Sequence, residues 1–176
     1  MNFSDPLHNI LRMGLKEGMK VADLGTGSGH YAISAGHIVG PTGRVYAVDI
    51  QEDILTRLTA EAKVRGLTNI ETIWADFEHL EGTTLRPRVL DAVVLSNTLF
   101  QLEKKEGALA EIKRILKPGG KLLVVDWMES FGGIGPHKEH VVPEAEAEAL
   151  FIKAGFTKLK AFLGGPYHYS LLFEAP

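Results

Sequence analysis

Three glycines at every second position follow an acidic residue early in the chain. The segment Val21–Gly29 reads VADLGTGSG, and a helical pattern begins directly afterwards at His30. A buried strand, a tight turn and a helix in this order direct the first N–H groups of the helix toward a ligand. Glycine lets such a turn bend and lets the ligand approach the backbone closely. The segment therefore predicts a site for a nucleotide-like cofactor.

Acidic and polar residues also follow the other apolar runs that are predicted to be strands. Asp49 comes 20 residues after Gly29, and Asp76 and Phe77 follow the third run. Ser96 and Asn97 end the fourth run, and Asp126 and Trp127 end the fifth. The carboxyl ends of parallel strands meet at one edge of a sheet, where ligands bind in open α/β folds. We therefore expect these side chains to converge on one crevice.

Two of these aspartates have the chemistry to recognise a nucleoside. A carboxylate at the position of Asp49 can accept hydrogen bonds from both ribose hydroxyls. Asp76 can accept a hydrogen bond from the exocyclic amine of adenine, while Phe77 covers the ring. The alternative is that each aspartate only caps a turn, which is common after strands.

The glycine spacing distinguishes two cofactors. A dinucleotide fingerprint, Gly-x-Gly-x-x-Gly, requires its third glycine at position 30, where this chain has His30. No basic residue lies in the turn, and the carboxylate of Asp23 would repel a pyrophosphate but attract an ammonium or sulfonium group. The pattern therefore favours a positively charged cofactor with an amino-acid tail over NAD and disfavours a nicotinamide-dependent oxidoreductase.

These site residues require alternating strands and helices to position them. Periodicity predicts helices at Pro6–Met13, His30–Val39, Glu52–Arg65 and Glu103–Leu116, and one that begins at Pro143. It predicts strands at Lys20–Leu24, Arg44–Val48, Ile70–Trp74, Val89–Leu95, Lys121–Trp127, Thr157–Leu163 and Tyr167–Glu174. The order predicts a mainly parallel sheet with helices on both faces and an antiparallel pair at one edge.

Five segments in this order resemble the motifs of class I S-adenosylmethionine-dependent methyltransferases. They are Val21–Gly29, Val45–Ile50, Trp74–Phe77, Asp91–Asn97 and Ile115–Leu122. The resemblance covers nearly the whole chain after residue 18 and is greatest to the type 11 branch around the ubiquinone/menaquinone biosynthesis enzymes. It implies a single-domain α/β fold, a Rossmann-like doubly wound seven-stranded sheet of order 3-2-1-4-5-7-6 with strand 7 antiparallel.

The resemblance also implies S-adenosyl-L-methionine as the cofactor, with S-adenosyl-L-homocysteine as the product. The predicted contacts are Asp23, Gly25, Thr26, Gly27, Gly29, Asp49, Ile50, Asp76, Phe77 and Ser96. We expect residues 1–176 to form one methyltransferase domain. Within it, residues 1–18 are an N-terminal helix and cap, 19–127 the cofactor-binding core, and 128–176 an acceptor-side loop, helix and final hairpin.

Composition limits the remaining functions. The chain has 176 residues, a net charge of −3 and no cysteine, so nucleic acid is not an expected partner and thiolate chemistry is absent. We expect no metal site. No apolar run is long enough to span a membrane, and Met1–Pro6 lacks a secretion-signal pattern, so a cytoplasmic location is expected.

The methyl acceptor is harder to infer, because methyl transfer needs alignment more than a dedicated base. A small molecule with an O, N or C nucleophile is expected. The alternatives are a cofactor-binding module without transfer activity, or a protein methyltransferase. Polar candidates for the acceptor pocket are His137, His140, Tyr167 and Tyr169. The cap over this pocket is expected from the first helix and the loop Glu129–Val142, or from the second subunit of a homodimer.

The helix predicted at Glu103–Leu116 carries many charges. Lysines and arginines alternate there with Glu103, Glu106 and Glu111. This pattern predicts a solvated face.

Overall fold

The fold was obtained as a computed structural model and is described for residues 4–176. The first three residues of the predicted N-terminal cap lie outside the described residues. The helices within this range are α1 (Pro6–Met13), α2 (His30–Val39), α3 (Glu52–Val64), α4 (Lys105–Ile115) and α5 (Glu144–Lys153). The strands are β1 (Lys20–Leu24), β2 (Arg44–Asp49), β3 (Ile70–Trp74), β4 (Leu90–Ser96), β5 (Leu116–Trp127), β6 (Thr157–Gly165) and β7 (His168–Glu174).

The seven strands form one sheet in the order β3-β2-β1-β4-β5-β7-β6. The first five strands run parallel, while β7 pairs antiparallel with both β5 and β6. This topology confirms the predicted strand order and the antiparallel strand 7. It also places the carboxyl ends of β1 to β5 along one edge, as the predicted crevice requires.

Apolar layers cover both faces of the sheet. Because side chains alternate along a strand, Leu122 and Val124 pack on one face of β5, and Leu123 and Val125 pack on the other. The first layer includes buried residues of α4 and α5, and the second includes those of α1, α2 and α3. No helix among residues 4–176 is long and apolar enough to cross a membrane.

Strand β5 is longer than predicted, because it starts at Leu116 and not at Lys121. Leu116 pairs with Leu90 before a register shift in the β4–β5 ladder. The Gly119 N–H donates to the Ala175 carbonyl (3.0 Å), and the Ala175 N–H donates to the Gly120 carbonyl (2.8 Å). The Pro-Gly-Gly segment therefore belongs to the sheet, and α4 ends one residue earlier, at Ile115.

The prediction of a solvated face on α4 is wrong for two of its charged residues. Glu111 is completely buried, and the side chain of its partner Arg114 is only 14% exposed. The reason is tertiary, because the connection between β3 and β4 folds over this part of the helix and donates hydrogen bonds to Glu111.

Candidate functional site

A cavity of about 380 Å³ lies at the carboxyl ends of the central strands. It is lined by nine of the ten residues predicted to contact the cofactor: Asp23, Gly25, Thr26, Gly27, Asp49, Ile50, Asp76, Phe77 and Ser96. The tenth, Gly29, lies outside the lining, and a side chain there would collide with Leu58 of α3. The third glycine therefore permits close packing between two helices.

The glycine turn is fixed to the neighbouring strand by its backbone. The N–H groups of Gly25 and Thr26 both donate to the Val48 carbonyl of β2, at 2.9 and 3.0 Å. Gly25 has a φ of 69°, a region that favours glycine, and a Cβ there would lie 2.5 Å from Thr98 Oγ1. Gly25 is thus required both for its conformation and for the close approach of Thr98.

The carboxylate of Asp23 lies beneath the turn and is almost fully buried. Its Oδ2 accepts hydrogen bonds from the Thr26 hydroxyl (2.7 Å) and the Ala32 N–H (3.1 Å). Burial raises the pKa of Asp23 to about 6; the hydrogen bonds oppose this shift, and the nearby Asp49 adds to it. A cation entering the cavity would therefore stabilise the charged form of this acid.

Asp49 ends β2 and holds the backbone on both sides of the cavity mouth. Its Oδ2 accepts from the Gly27 N–H and its Oδ1 from the Gln51 N–H, each at 3.0 Å. Each carboxylate oxygen can accept further hydrogen bonds after these two. Because Asp49 also lines the cavity, its geometry fits a ligand with two adjacent hydroxyls.

The segment after β3 forms the far wall of the cavity. Asp76 Oδ1 accepts from the Glu78 N–H (2.8 Å), and the His79 ring lies 3.2 Å from Oδ2. Phe77 is buried beside it, whereas Ile50 projects largely into solvent at the rim. The indole N–H of Trp74 donates to the Ile50 carbonyl (2.9 Å) and so ties the ends of β2 and β3 together.

Asn97 lines the cavity but is not among the residues predicted to contact the cofactor. It follows β4 with a φ of 54°, an unusual conformation for a residue with a side chain. Its Oδ1 is buried without a hydrogen-bond partner among residues 4–176. Asparagine tolerates this conformation better than most residues. An asparagine directly after a predicted strand was therefore the sequence signal for this turn. An unpaired buried acceptor on a residue that lines a cavity is the kind of group that a ligand's donor could satisfy.

The four residues predicted for the acceptor pocket lie outside this cavity lining. His137 and His140 are exposed on the loop between β5 and α5. Tyr169 is buried in the core and donates its hydroxyl to the Val142 carbonyl (3.1 Å). Of the four, only Tyr167 lies near the carboxyl end of β5, where it contacts other aromatic rings.

Those rings form an aromatic cluster beyond the carboxyl end of β5. The ring of Trp127 lies 4.3 Å from that of His168, and Phe131 lies 4.7 Å from Tyr167 in an edge-on arrangement. Trp127 lies two residues after Val125 on β5, and Val125 pairs with the cavity residue Ser96 on β4. The aromatic cluster (Trp127, Phe131, Tyr167, His168) is therefore one strand away from the cavity, along the same edge.

A family model described as "Methyltransferase domain" matches residues 15–157. The ubiquinone/menaquinone biosynthesis C-methyltransferase UbiE of Haemophilus ducreyi is 37% identical over 117 residues, which cover 65% of this chain and 43% of that protein. The corresponding Pseudomonas entomophila protein is 35% identical over 115 residues, covering 65% and 44%. The chain thus spans less than half the length of these curated relatives.

A solved structure is similar over almost the full chain. The S-adenosylmethionine-dependent methyltransferase from Aquifex aeolicus superposes with a TM-score of 0.90 and 29% identity, covering 99% of this chain and 91% of the other. The family match, the strand order and the cavity residues agree on the cofactor. The chain therefore belongs to the class I methyltransferases that use S-adenosyl-L-methionine.

Proposed function

We propose that the chain transfers a methyl group from S-adenosyl-L-methionine to an O, N or C atom of a small molecule. The observation that carries this proposal is the convergence of Asp23, Asp49 and Asp76 on one cavity beside a glycine turn. Three acids around a cavity suit a ligand with a positive charge, a diol and an amine. They do not suit the pyrophosphate of a dinucleotide.

Each wall of the cavity has a distinct part in this function. Asp49 accepts hydrogen bonds from the ribose hydroxyls, and Asp76 accepts one from the adenine amine above Phe77. Asp23 faces the positively charged end of the cofactor. The bound cofactor supplies an activated methyl group on sulfur, and the protein aligns it with the acceptor and excludes water.

For the acceptor we propose a flat aromatic ring of the quinol type. The relatives of H. ducreyi and P. entomophila are named for ubiquinone and menaquinone biosynthesis. The aromatic cluster lies one strand away from the cavity, and its two half-buried rings, Phe131 and Tyr167, offer flat apolar surfaces. The unpaired amide oxygen of Asn97 would accept a hydrogen bond from an acceptor hydroxyl. Tyr167 would line the same wall, with His137 and His140 on the loop above it and Tyr169 supporting that loop through Val142.

The proposal includes the division of residues 1–176 into a cap, a cofactor core and an acceptor part. We further propose that a homodimer completes the acceptor pocket, that the protein is cytoplasmic, and that it has no nucleic-acid partner.

Incubation with methyl-labelled S-adenosylmethionine tests this function directly. Short-chain naphthohydroquinones and benzohydroquinones are offered as acceptors, and labelled product and S-adenosylhomocysteine are measured. We expect product only when both cofactor and hydroquinone are present. In parallel calorimetry, S-adenosylhomocysteine should bind and NAD should not. NAD binding tighter than S-adenosylhomocysteine would overturn the cofactor assignment, whereas cofactor binding without product from any hydroquinone would overturn the quinol acceptor.

Cofactor affinity should depend on pH through Asp23. Its folded pKa of about 6 means that the carboxyl is charged above pH 6 and neutral below it. Because the α-ammonium group of S-adenosylhomocysteine favours the charged form of Asp23, affinity for this ligand should be constant near pH 7 and fall by up to about tenfold per pH unit below pH 6. Calorimetric titrations of S-adenosylhomocysteine from pH 5 to pH 8 measure this profile.

Asp126 provides a matched control for the pH profile. Burial also raises the pKa of Asp126 to about 6, but this residue is not part of the cavity lining. Asp23→Asn should flatten the profile, and Asp126→Asn should leave it unchanged. A profile that keeps its shape in Asp23→Asn would exclude Asp23 as the group responsible.

A further inference from the structure

The connection between β3 and β4 has an unusual backbone. Residues 75–89 contain no helix or strand, although Asp76, Phe77 and Glu78 in this segment line the cavity. Three residues that are not glycine, Glu81, Thr84 and Arg88, have φ values of 63°, 60° and 54°. Such conformations are unfavourable and persist only where surrounding contacts impose them. Several hydrogen-bond contacts join this segment to α4.

The strongest of these contacts is the buried carboxylate of Glu111 on α4. Glu111 accepts hydrogen bonds from the N–H groups of Glu81 (2.8 Å) and Thr83 (3.1 Å), and from the Thr83 hydroxyl. The Glu81 N–H is thus held at one of the unfavourable φ positions. A buried carboxylate with this many donors fixes the loop backbone at several points.

Arg114 completes the arrangement from the same helix. Its guanidinium donates to both carboxylate oxygens of Glu111 at 2.7 Å and to the Leu85 carbonyl at 2.8 Å. Burial alone would raise the pKa of Glu111, but the hydrogen bonds from Arg114, Thr83 and the loop backbone outweigh it and lower the pKa below its usual value. The carboxylate is therefore charged at neutral pH while fully buried.

Two glycines transmit this anchoring to the cavity wall. A Cβ on Gly107 of α4 would collide with the Glu78 carbonyl, and a Cβ on Gly82 would collide with the Asp76 carbonyl. The backbone N–H of Lys104, at the start of α4, also donates to the Glu78 carboxylate. The loop that Glu111 holds is thus in direct backbone contact with the segment that carries Asp76.

We propose that Glu111, paired with Arg114, is a positioning residue that holds the segment 76–78 against the cavity and thereby sets adenine selectivity. This inference rests on the proposed placing of adenine at Asp76. Glu111 itself does not line the cavity and acts through the loop backbone. Its release should let Asp76 move from the adenine amine without removing any group that touches the cofactor.

The test compares two ligands that differ at one position of the base. S-inosylhomocysteine carries an oxygen where S-adenosylhomocysteine carries the adenine amine, so the Asp76 carboxylate would face an acceptor. The natural protein should prefer the adenosyl ligand by about tenfold or more. In Glu111→Gln the ratio of the two affinities should shrink to about one third or less of its value in the natural protein. Hydrogen exchange of the backbone amides in residues 77–86 should also become faster.

Two further variants keep the test decisive. Thr83→Val removes one hydrogen bond to Glu111 with little change of shape, so it should also reduce the preference for the adenosyl ligand. This variant serves as the test if Glu111→Gln does not fold. Asn69→Ala is the matched control, because Asn69 is equally buried and donates to the carbonyls of Gly36 and Gly40 (2.8 Å each) at the opposite edge of the sheet. It should lower stability and leave the preference unchanged.

The outcomes separate this inference from the function beneath it. If Asp76→Ala abolishes the preference while Glu111→Gln and Thr83→Val retain it, the positioning role of Glu111 is wrong and the adenine placement stands. An unchanged preference in Asp76→Ala would instead overturn the adenine placement. If Asn69→Ala reduces the preference as much as Glu111→Gln, general destabilisation explains the effect and the positioning role is again wrong.

Discussion

Replacing Asp49 with alanine is expected to weaken S-adenosylhomocysteine binding by about 100-fold or more, because two hydrogen bonds to a carboxylate are together worth about 3 kcal/mol or more. The change removes the proposed ribose contacts and the hydrogen bonds that hold the Gly27 and Gln51 N–H groups. Calorimetry gives the affinity, and thermal unfolding shows whether the variant folds. The matched control is Asp53→Ala, which removes an exposed acid of α3 paired with Arg57 and should bind normally.

A second ligand separates ribose recognition from the structural role of Asp49. The 2′-deoxy analogue of S-adenosylhomocysteine lacks one of the two proposed partners, so the natural protein should bind it about tenfold more weakly. In Asp49→Ala the two ligands should bind alike, because the residue that distinguishes them is gone. A persistent tenfold difference in that variant would show that another residue reads the ribose.

Gly25→Ala is expected to lower the free energy of unfolding by about 3 kcal/mol, through an unfavourable φ and a collision with Thr98. A Cβ at this position lies 2.5 Å from Thr98 Oγ1 and 2.7 Å from Thr98 Cγ2. Because the turn lines the cavity, S-adenosylhomocysteine should also bind at least about tenfold more weakly. Chemical denaturation and calorimetry measure the two effects.

Gly66 provides an unusually close control for the conformational part of this effect. Its φ of 71° nearly equals the 69° of Gly25, but nothing lies within 4 Å of a Cβ there. Gly66→Ala should cost only about 1 kcal/mol and leave cofactor affinity unchanged. Adding Thr98→Ala to Gly25→Ala removes the two colliding atoms. The double variant should therefore lose less stability and less cofactor affinity than the sum of the losses of the two single variants. Equal effects at Gly25 and Gly66 would rule out the collision.

The sequence predicted the fold well because its signals were local. Gly40, Gly66 and the apolar runs bound helices and strands through short-range backbone preferences, so β1, β3, α1 and α2 begin and end where predicted. The start of β5 was misplaced because a segment such as Pro118–Gly120 usually ends regular structure, whereas hydrogen bonds between this segment and Ala175 hold it in the sheet. That contact joins residues more than fifty positions apart, and no local pattern encodes it.

Most of the cavity lining was also predictable, because a parallel sheet brings its strand ends together. Asp23, Asp49 and Asp76 needed only the strand assignments to be placed on one edge. Gly29 was predicted to contact the cofactor, and that contact stays a prediction; in the structure Gly29 lies outside the cavity lining and permits the close approach of Leu58 on α3. Tyr169 was predicted to line the acceptor pocket, and its role there stays a prediction; its hydroxyl bonds to the Val142 carbonyl.

The spacing of glycines and acids along the chain by itself favoured a positively charged cofactor with an amino-acid tail over a dinucleotide, and the resemblance to class I methyltransferases implied S-adenosyl-L-methionine. Only the tertiary structure decided which charged residues are buried. Glu111 was predicted to lie on a solvated face, yet it is buried and accepts hydrogen bonds from the loop after β3. The physical reason is that strand ends and turns follow from short-range backbone preferences. The burial of a charge depends on donors that a distant loop brings to it.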